Sequence, residues 1–224
     1  MQRATQRRGG APLIDLALLE DRVFTSGMGA TFCFFLANLS FYFVLTLFMQ
    51  NGLGLSPFDS ALTVMPLSLA FVISSRSAAG RLAHRGVAAL IEGSAVQVAG
   101  LAATAVLIGI SAHPTMAMLM LPLAIFGYGR GMVLTPLFSA VLANVRHAHA
   151  GSGSGILATT QQVANGTGVG LVSAVFFSVQ AEIGTRYGLM AAMAMLACAV
   201  AGTMVFLHRM RAPSLAASVP LIHR

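Results

Sequence analysis

Six runs of about twenty or more apolar residues follow one another along the chain: Thr25–Phe48, Ser60–Ala79, Val87–Ile110, Thr115–Ala143, Ser154–Val179 and Gly188–Leu207. Each is long enough to cross the roughly 30 Å hydrocarbon core of a bilayer as a helix. Only 8% of the 224 residues are charged, against about 25% in a soluble domain. Too few charges remain to coat a water-facing surface, so the solvent for most of the chain is lipid. In lipid every backbone polar group needs an internal partner, which leaves helices or a closed barrel, and the run lengths select helices. The sequence therefore predicts an all-α integral membrane protein with six transmembrane helices. The six-helix domain is expected over 25–208, after an N-terminal segment (1–24) and before a tail (209–224).

The connections are short and carry helix start and stop signals. In "GLGLSPFDS" (Gly52–Ser60), Ser56 is placed as N-cap, Pro57 at the first helical position and Asp59 as the acidic half of a capping box. "SAHPT" (Ser111–Thr115) and "RYG" (Arg186–Gly188) are the corresponding breaks further on. Before the first run, "PLIDLALLEDRVF" (Pro12–Phe24) alternates apolar and charged residues and is expected in the membrane interface. Arg3, Arg7, Arg8 and Arg22 accompany no short apolar core there, so no cleavable signal peptide is expected.

All thirteen basic residues are Arg, and they orient the helices. One side collects Arg3, Arg7, Arg8, Arg22, Arg76, Arg81, Arg85, Arg146, Arg209, Arg211 and Arg224; the other has only Arg186. Eleven against one places both termini in the cytoplasm, in the cell membrane. The fourth helix then starts on the opposite side from the first, as a three-plus-three inverted repeat requires. Because these cations are scattered between apolar runs and form no patch, the +7 formal charge does not point to nucleic acid. Cys33 and Cys198 sit singly in apolar runs, and His147 and His149 form an HxH without a third ligand, so no metal or other cofactor is expected.

The fifth run reads "GSGSGILATTQQVANGTGVG" at Gly151–Gly170, polar and glycine-rich where the chain crosses lipid. At about 100° per residue, Gln161, Asn165 and Gly168 share one stripe. Gly155, Thr159, Gln162, Gly166, Gly170 and Ser173 share a neighbouring one, a small-xxx-small surface that admits close helix approach. Two amides a turn apart must face protein or water, through interhelical hydrogen bonds or as the wall of a hydrated pathway. The first run adds Asn38 and Tyr42, one turn apart. The fourth run, "FGYGRGMVLTPLFS", is thinned for packing by Gly127, Gly129 and Gly131, and Pro136 is expected to kink it. It also places Arg130 about 22 Å from the outer end by helical rise. An Arg so deep costs about 3 kcal/mol even on the lenient insertion scale, so it requires a cavity or a partner. Asn38, Tyr42, Arg130, Gln161 and Asn165 are the predicted lining of a substrate pathway.

The stretches "GLGLSPFDSALTVMPLS", "GRLAHRG", "FGYGRGMVLTPL" and "AGSGSGILATTQQVANGTGVGLVSAVFF" resemble the C-terminal six-helix half of major facilitator superfamily exporters. They are most similar to the fourteen-helix drug:proton antiporters of the EmrB/QacA type. The resemblance runs from about Pro12 to Leu207, and "TTQQV" (Thr159–Val163) is its most specific piece. It implies export of small amphipathic substrates coupled to protons, through a cavity between two six-helix halves. It also implies a cytoplasmic gating loop at Gly80, Arg81 and Arg85, where His84 replaces the family's acidic residue and the trailing basic residues are absent. Proton coupling in the family is assigned largely to the N-terminal half, so this chain would need such a half, or a second copy of itself, as partner. Two other classes fit parts of the sequence. One is a membrane subunit that docks on a partner without transporting. The other is an intramembrane protease using Ser154 and His208, although both fall at helix ends where no buried catalytic cavity is needed.

Overall fold

The structure is a computed structural model that describes residues 20–111, 114–143, 145 and 150–216. Most of the expected N-terminal segment, the HxH pair and the last eight residues lie outside them.

Six long helices and one short one make up the described chain. α1 spans Arg22–Leu47, α2 Pro57–Arg76, α3 Ala78–Arg85, α4 Val87–Ile110, α5 Met116–Leu142, α6 Ala150–Ile183 and α7 Thr185–Ala216. All but α3 are long and apolar enough to cross a membrane. Local chemistry sets their ends. Asp21 caps α1 by accepting from the Val23 backbone N–H at 2.7 Å, so the last residues of the expected interfacial stretch belong to the first helix. At α2, the Ser56 hydroxyl accepts from the Asp59 N–H at 3.1 Å and donates to the Asp59 carboxylate at 2.7 Å, with Pro57 at the first helical position. The N-cap half of the box expected from "SPFD" is formed, while the Asp59 carboxylate bonds the Ser56 hydroxyl in place of its backbone N–H.

Two boundaries differ from the sequence reading. "GRLAHRG" is not a simple turn: Ala78–Arg85 forms the amphipathic helix α3, which ends at Gly86 with φ +58°. The break between the last two helices falls at Gly184 (φ +101°), and Arg186–Gly188 lies in the first helical turns of α7. A left-handed residue reverses the chain in one step, and glycine alone does so without a Cβ penalty. α5 also runs helically through both Pro122 and Pro136. At the far end of α1 the helix widens into a π turn over Phe48–Gly52, where the Leu53 N–H reaches back to the Phe48 carbonyl at 3.0 Å.

The helix pairings repeat. α1 packs on α6 as α5 packs on α2, and α1 packs on α7 as α5 packs on α4; α4 and α7 meet at the centre. Exchanging α1 with α5, α2 with α6 and α4 with α7 maps these contacts onto themselves. This is the relation expected of two inverted three-helix repeats. α6 also packs on α7, a contact with no substantial α2–α4 counterpart. Glycine makes the tightest pairings possible. A methyl group added to Gly100 would sit 2.5 Å from the Phe126 backbone nitrogen, and one on Gly129 would sit 2.5 Å from that of Gln97. Without a hydrophobic drive between helices in lipid, backbone approach of this kind supplies the dispersion contact that holds them together.

Two apolar clusters fill the interior. One, with Phe24, Phe34, Leu90, Val133, Leu137, Leu157 and Leu207, lies toward the start of α1. The other, with Phe41, Phe48, Leu101, Leu123, Phe126, Phe176 and Leu196, lies toward its end. On α1 the boundary between them falls between Leu36 and Ala37, next to Asn38, on α4 between Leu90 and Leu101, and on α5 between Phe126 and Val133.

Candidate substrate pathway

Polar groups concentrate at that boundary. Gln97 on α4 donates from Nε2 to the Asn38 side-chain oxygen at 3.0 Å, and Asn38 donates from Nδ2 to the Phe34 carbonyl at 2.7 Å. Both residues are buried, at 0% and 3% exposure. The remaining oxygen of Gln97 has no hydrogen-bond partner. One turn along α1, the Tyr42 hydroxyl accepts from Arg130 Nη1 at 2.8 Å. The Arg130 guanidinium also lies 5.1 Å from the Tyr42 ring centroid and 5.2 Å from that of Phe71 on α2. The two pairs are neighbours, since Gly129 abuts the Gln97 backbone. Four helices thus meet around an amide pair and a cation held between two aromatic rings.

Tyr42 also faces outward. With Leu39, Phe43, Thr46 and Leu47 of α1 and Val169 of α6, it lines an open apolar concavity of about 420 Å³. Hydrocarbon lines this hollow almost throughout, and the hydroxyl of Tyr42 bonds the Arg130 guanidinium beside it, an arrangement suited to an amphipathic molecule.

The five residues expected along a pathway therefore divide. Asn38, Tyr42 and Arg130 come together. Gln161 and Asn165 lie half-exposed on α6, and their side chains form no hydrogen bond among the described residues. The register explains the separation. Gly153 of α6 faces Phe24, and a methyl on Gly168 would lie 2.5 Å from the Leu36 carbonyl. α1 and α6 therefore run side by side in the same direction. Asn165 and Gln161 precede Gly168 by one and two turns, nearer the start of α1 than Asn38 is. Gln97, absent from the sequence-derived set, takes the place beside Asn38. It is the only amide in the third apolar run, and a lone amide in lipid was the available signal.

The glycines divide as well. Gly127 and Gly131 press against the α2 backbone at Leu67 and Phe71, with Gly131 also against the Ser74 side chain. On α6 the buried stripe is Gly153, Leu157, Ala164, Gly168, Val172 and Phe176, and Gly168 makes the close approach to α1. Gly155, Gly166 and Gly170 meet nothing within 4 Å, and Gln162 is exposed. The small-residue stripe is thus the open face of α6, opposite the face that packs within this chain.

At the expected gating loop, Gly80 stands in open space on α3. Arg81 donates to the Tyr128 hydroxyl at 3.2 Å and to the Ser74 carbonyl at 3.0 Å, and also bonds Ser77. It thereby ties α3 to α5 and to the end of α2. Arg85 holds Glu92 through both carboxylate oxygens, at 2.6 and 2.8 Å. Both side chains are largely exposed, so this pair contributes at most a few tenths of a kcal/mol.

The profile of the Major Facilitator Superfamily matches residues 2–169. The chain belongs to that superfamily. It is 33% identical over 78% of its length to the "Probable actinorhodin transporter" of Streptomyces coelicolor. It is 28% identical over 90% of its length to the "Uncharacterized transporter YebQ" of Escherichia coli, and 28% identical over 78% to the "Lincomycin resistance protein" of Streptomyces lincolnensis. The matched region makes up 30%, 44% and 36% of these proteins, so the chain spans less than half the length of the curated relatives it matches. Six apolar helices in a superfamily of transporters make it a multi-pass membrane protein of a transport family, and none of these relatives is named as an enzyme.

Proposed function

We propose that this chain is the C-terminal half of a proton-coupled exporter of the EmrB/QacA type, working by alternating access with a second half. The observation that carries the reading is the open face of α6. Gly155, Gly166 and Gly170 have nothing against them, and Gln162 is exposed beside them. Facing lipid, an amide loses its hydrogen bonds and a glycine stripe forfeits packing; facing another helix, both are satisfied. The concavity at Tyr42 opens on the adjoining side of α1, where a second half would close it into a cavity. The similarity to a probable actinorhodin transporter and to a lincomycin resistance protein supports export of small molecules.

In this reading Asn38, Tyr42 and Arg130 line the substrate cavity, Gln161 and Asn165 line its cytoplasmic approach, and α3 with Gly80, Arg81 and Arg85 forms part of the cytoplasmic gate. Both termini lie in the cytoplasm of a cell whose plasma membrane holds the protein. The partner is an N-terminal half; a second copy related by two-fold symmetry is the other arrangement the stripe permits. The test is reconstitution in liposomes with an imposed proton gradient and amphipathic dyes, with and without a separately produced N-terminal half. Gradient-dependent dye movement only with the partner is expected. Movement catalysed by a demonstrated monomer overturns the proposal.

A further inference from the structure

Arg130 places a guanidinium far from both ends of its helix, with almost nothing to neutralise it. A guanidinium has five N–H donors, and among the described residues Arg130 makes one hydrogen bond, to Tyr42. Its Nε is buried without an acceptor. The carboxylates described, Glu20, Asp21, Asp59, Glu92 and Glu182, lie at helix ends or near them, and the ion pair formed is Arg85–Glu92. The aromatic faces that would attract a cationic ligand, Tyr42 and Phe71, are already taken by Arg130 itself. The open apolar concavity shares Tyr42 with this cation.

We infer that the site selects amphipathic aromatic anions: Arg130 receives the acidic group and the hollow beside Tyr42 receives the ring system. The inference rests on the reading that this face borders the substrate cavity, and it names the substrate class. The Coulomb sign decides between ligands. In a poorly hydrated site an uncompensated guanidinium attracts a carboxylate or sulfonate and repels an ammonium, with little salt screening. The donors left on Arg130 match the two oxygens of such a group, since a guanidinium presents them as a planar fork.

The experiment uses the full chain in nanodiscs of neutral phosphatidylcholine and three pyrene probes with the same ring and tether. One ends in a carboxylate, one in trimethylammonium and one in a hydroxyl; binding is read by fluorescence anisotropy, with empty nanodiscs subtracted. The anion is expected to bind about tenfold tighter than the cation, the equivalent of one step of 1.4 kcal/mol. Arg130→Gln should lower anion affinity to that of the hydroxyl probe measured in the same variant, and Arg130→Lys should keep part of the preference. Helicity by circular dichroism and hydroxyl-probe binding show that the variants are folded; if the Gln variant is not, the Lys variant carries the test. Equal or tighter cation binding, anion preference that survives loss of the positive charge, or no binding of any probe overturns the inference. Because no transport is measured, failure of the half-transporter reading leaves this result intact, and dye transport without anion preference removes this inference alone.

Discussion

Replacing Gly129 and Gly166 by alanine should change stability in opposite directions, although both lie in membrane-spanning helices. At Gly129 the new methyl would sit 2.5 Å from the Gln97 nitrogen and 2.6 Å from the Gly93 carbonyl. Optimal heavy-atom contact is about 3.5–4.0 Å, so α4 and α5 must separate by about 1 Å. Both neighbouring atoms belong to backbone and cannot rotate away. Overpacking of this kind costs about 1–3 kcal/mol, and the gain in helix propensity returns up to about 1 kcal/mol. Separation also moves Gln97 from Asn38, whose hydrogen bond is worth about 0.6 kcal/mol by the average found within a membrane. The expected net loss is about 1–2 kcal/mol. At Gly166 nothing lies within 4 Å, so alanine should be neutral or add up to about 1 kcal/mol. Unfolding by SDS in mixed micelles, followed by far-UV circular dichroism, reads the difference. A Gly129→Ala variant as stable as the parent, or a destabilised Gly166→Ala variant of the isolated chain, would refute the packing argument.

Asn38→Leu and Gln97→Leu should each destabilise the chain by about 1–2 kcal/mol, since each leaves a buried amide without its partner; the double variant should cost less than the sum of the two, with a coupling of about 0.6 kcal/mol in the same SDS titration. Cysteines introduced at Ser56 and Ile183, in a chain lacking Cys33 and Cys198, should react with an impermeant maleimide from outside the cell, and one at His84 only after permeabilisation; outside labelling at 84 would invert the topology.

How much of this was legible in the sequence depended on whether the signal was one-dimensional. Run length and local cap chemistry are, and the six helices and the Ser56 N-cap follow from them. Helical phase is too, and it sorts α6 into stripes. Which stripe packs internally is a different matter, because in lipid glycine and alanine do not declare themselves as inside or outside. The small-residue stripe at Gly155, Gly166 and Gly170 turned out to be open, and Gly168, on the neighbouring stripe with Gln161 and Asn165, makes the approach to α1. The Asn38–Gln97 bond spans 59 positions and the Arg130–Tyr42 bond 88; only folding sets such registers. α3 was hidden because an eight-residue helix at the membrane surface lacks the apolar length by which the others were read.

The open faces of α2 and α6 are equivalent under the internal repeat, yet the physics of lipid separates them. These two helices are the least buried of the six spans. On α2 the exposed side chains are Phe58, Leu62, Met65, Leu69, Val72 and Ile73, a ridge of large apolar groups at helical spacing. Acyl chains solvate such a ridge as well as leucine does, so its exposure has no cost and implies no partner. The α6 face carries Gly155, Thr159, Gln162, Gly166 and Gly170, where lipid fits poorly and an amide is left without a bond. Tryptophan at each face distinguishes the two cases. Leu69→Trp should leave association with an N-terminal half, and any transport the pair performs, close to the parent. Gly166→Trp should abolish association while leaving the isolated chain folded, because space is open around that position until a partner helix arrives. Co-purification of the tagged halves measures the first effect and circular dichroism the second. If Gly166→Trp assembles normally, lipid covers the glycine face, and the argument for a second half loses its main support.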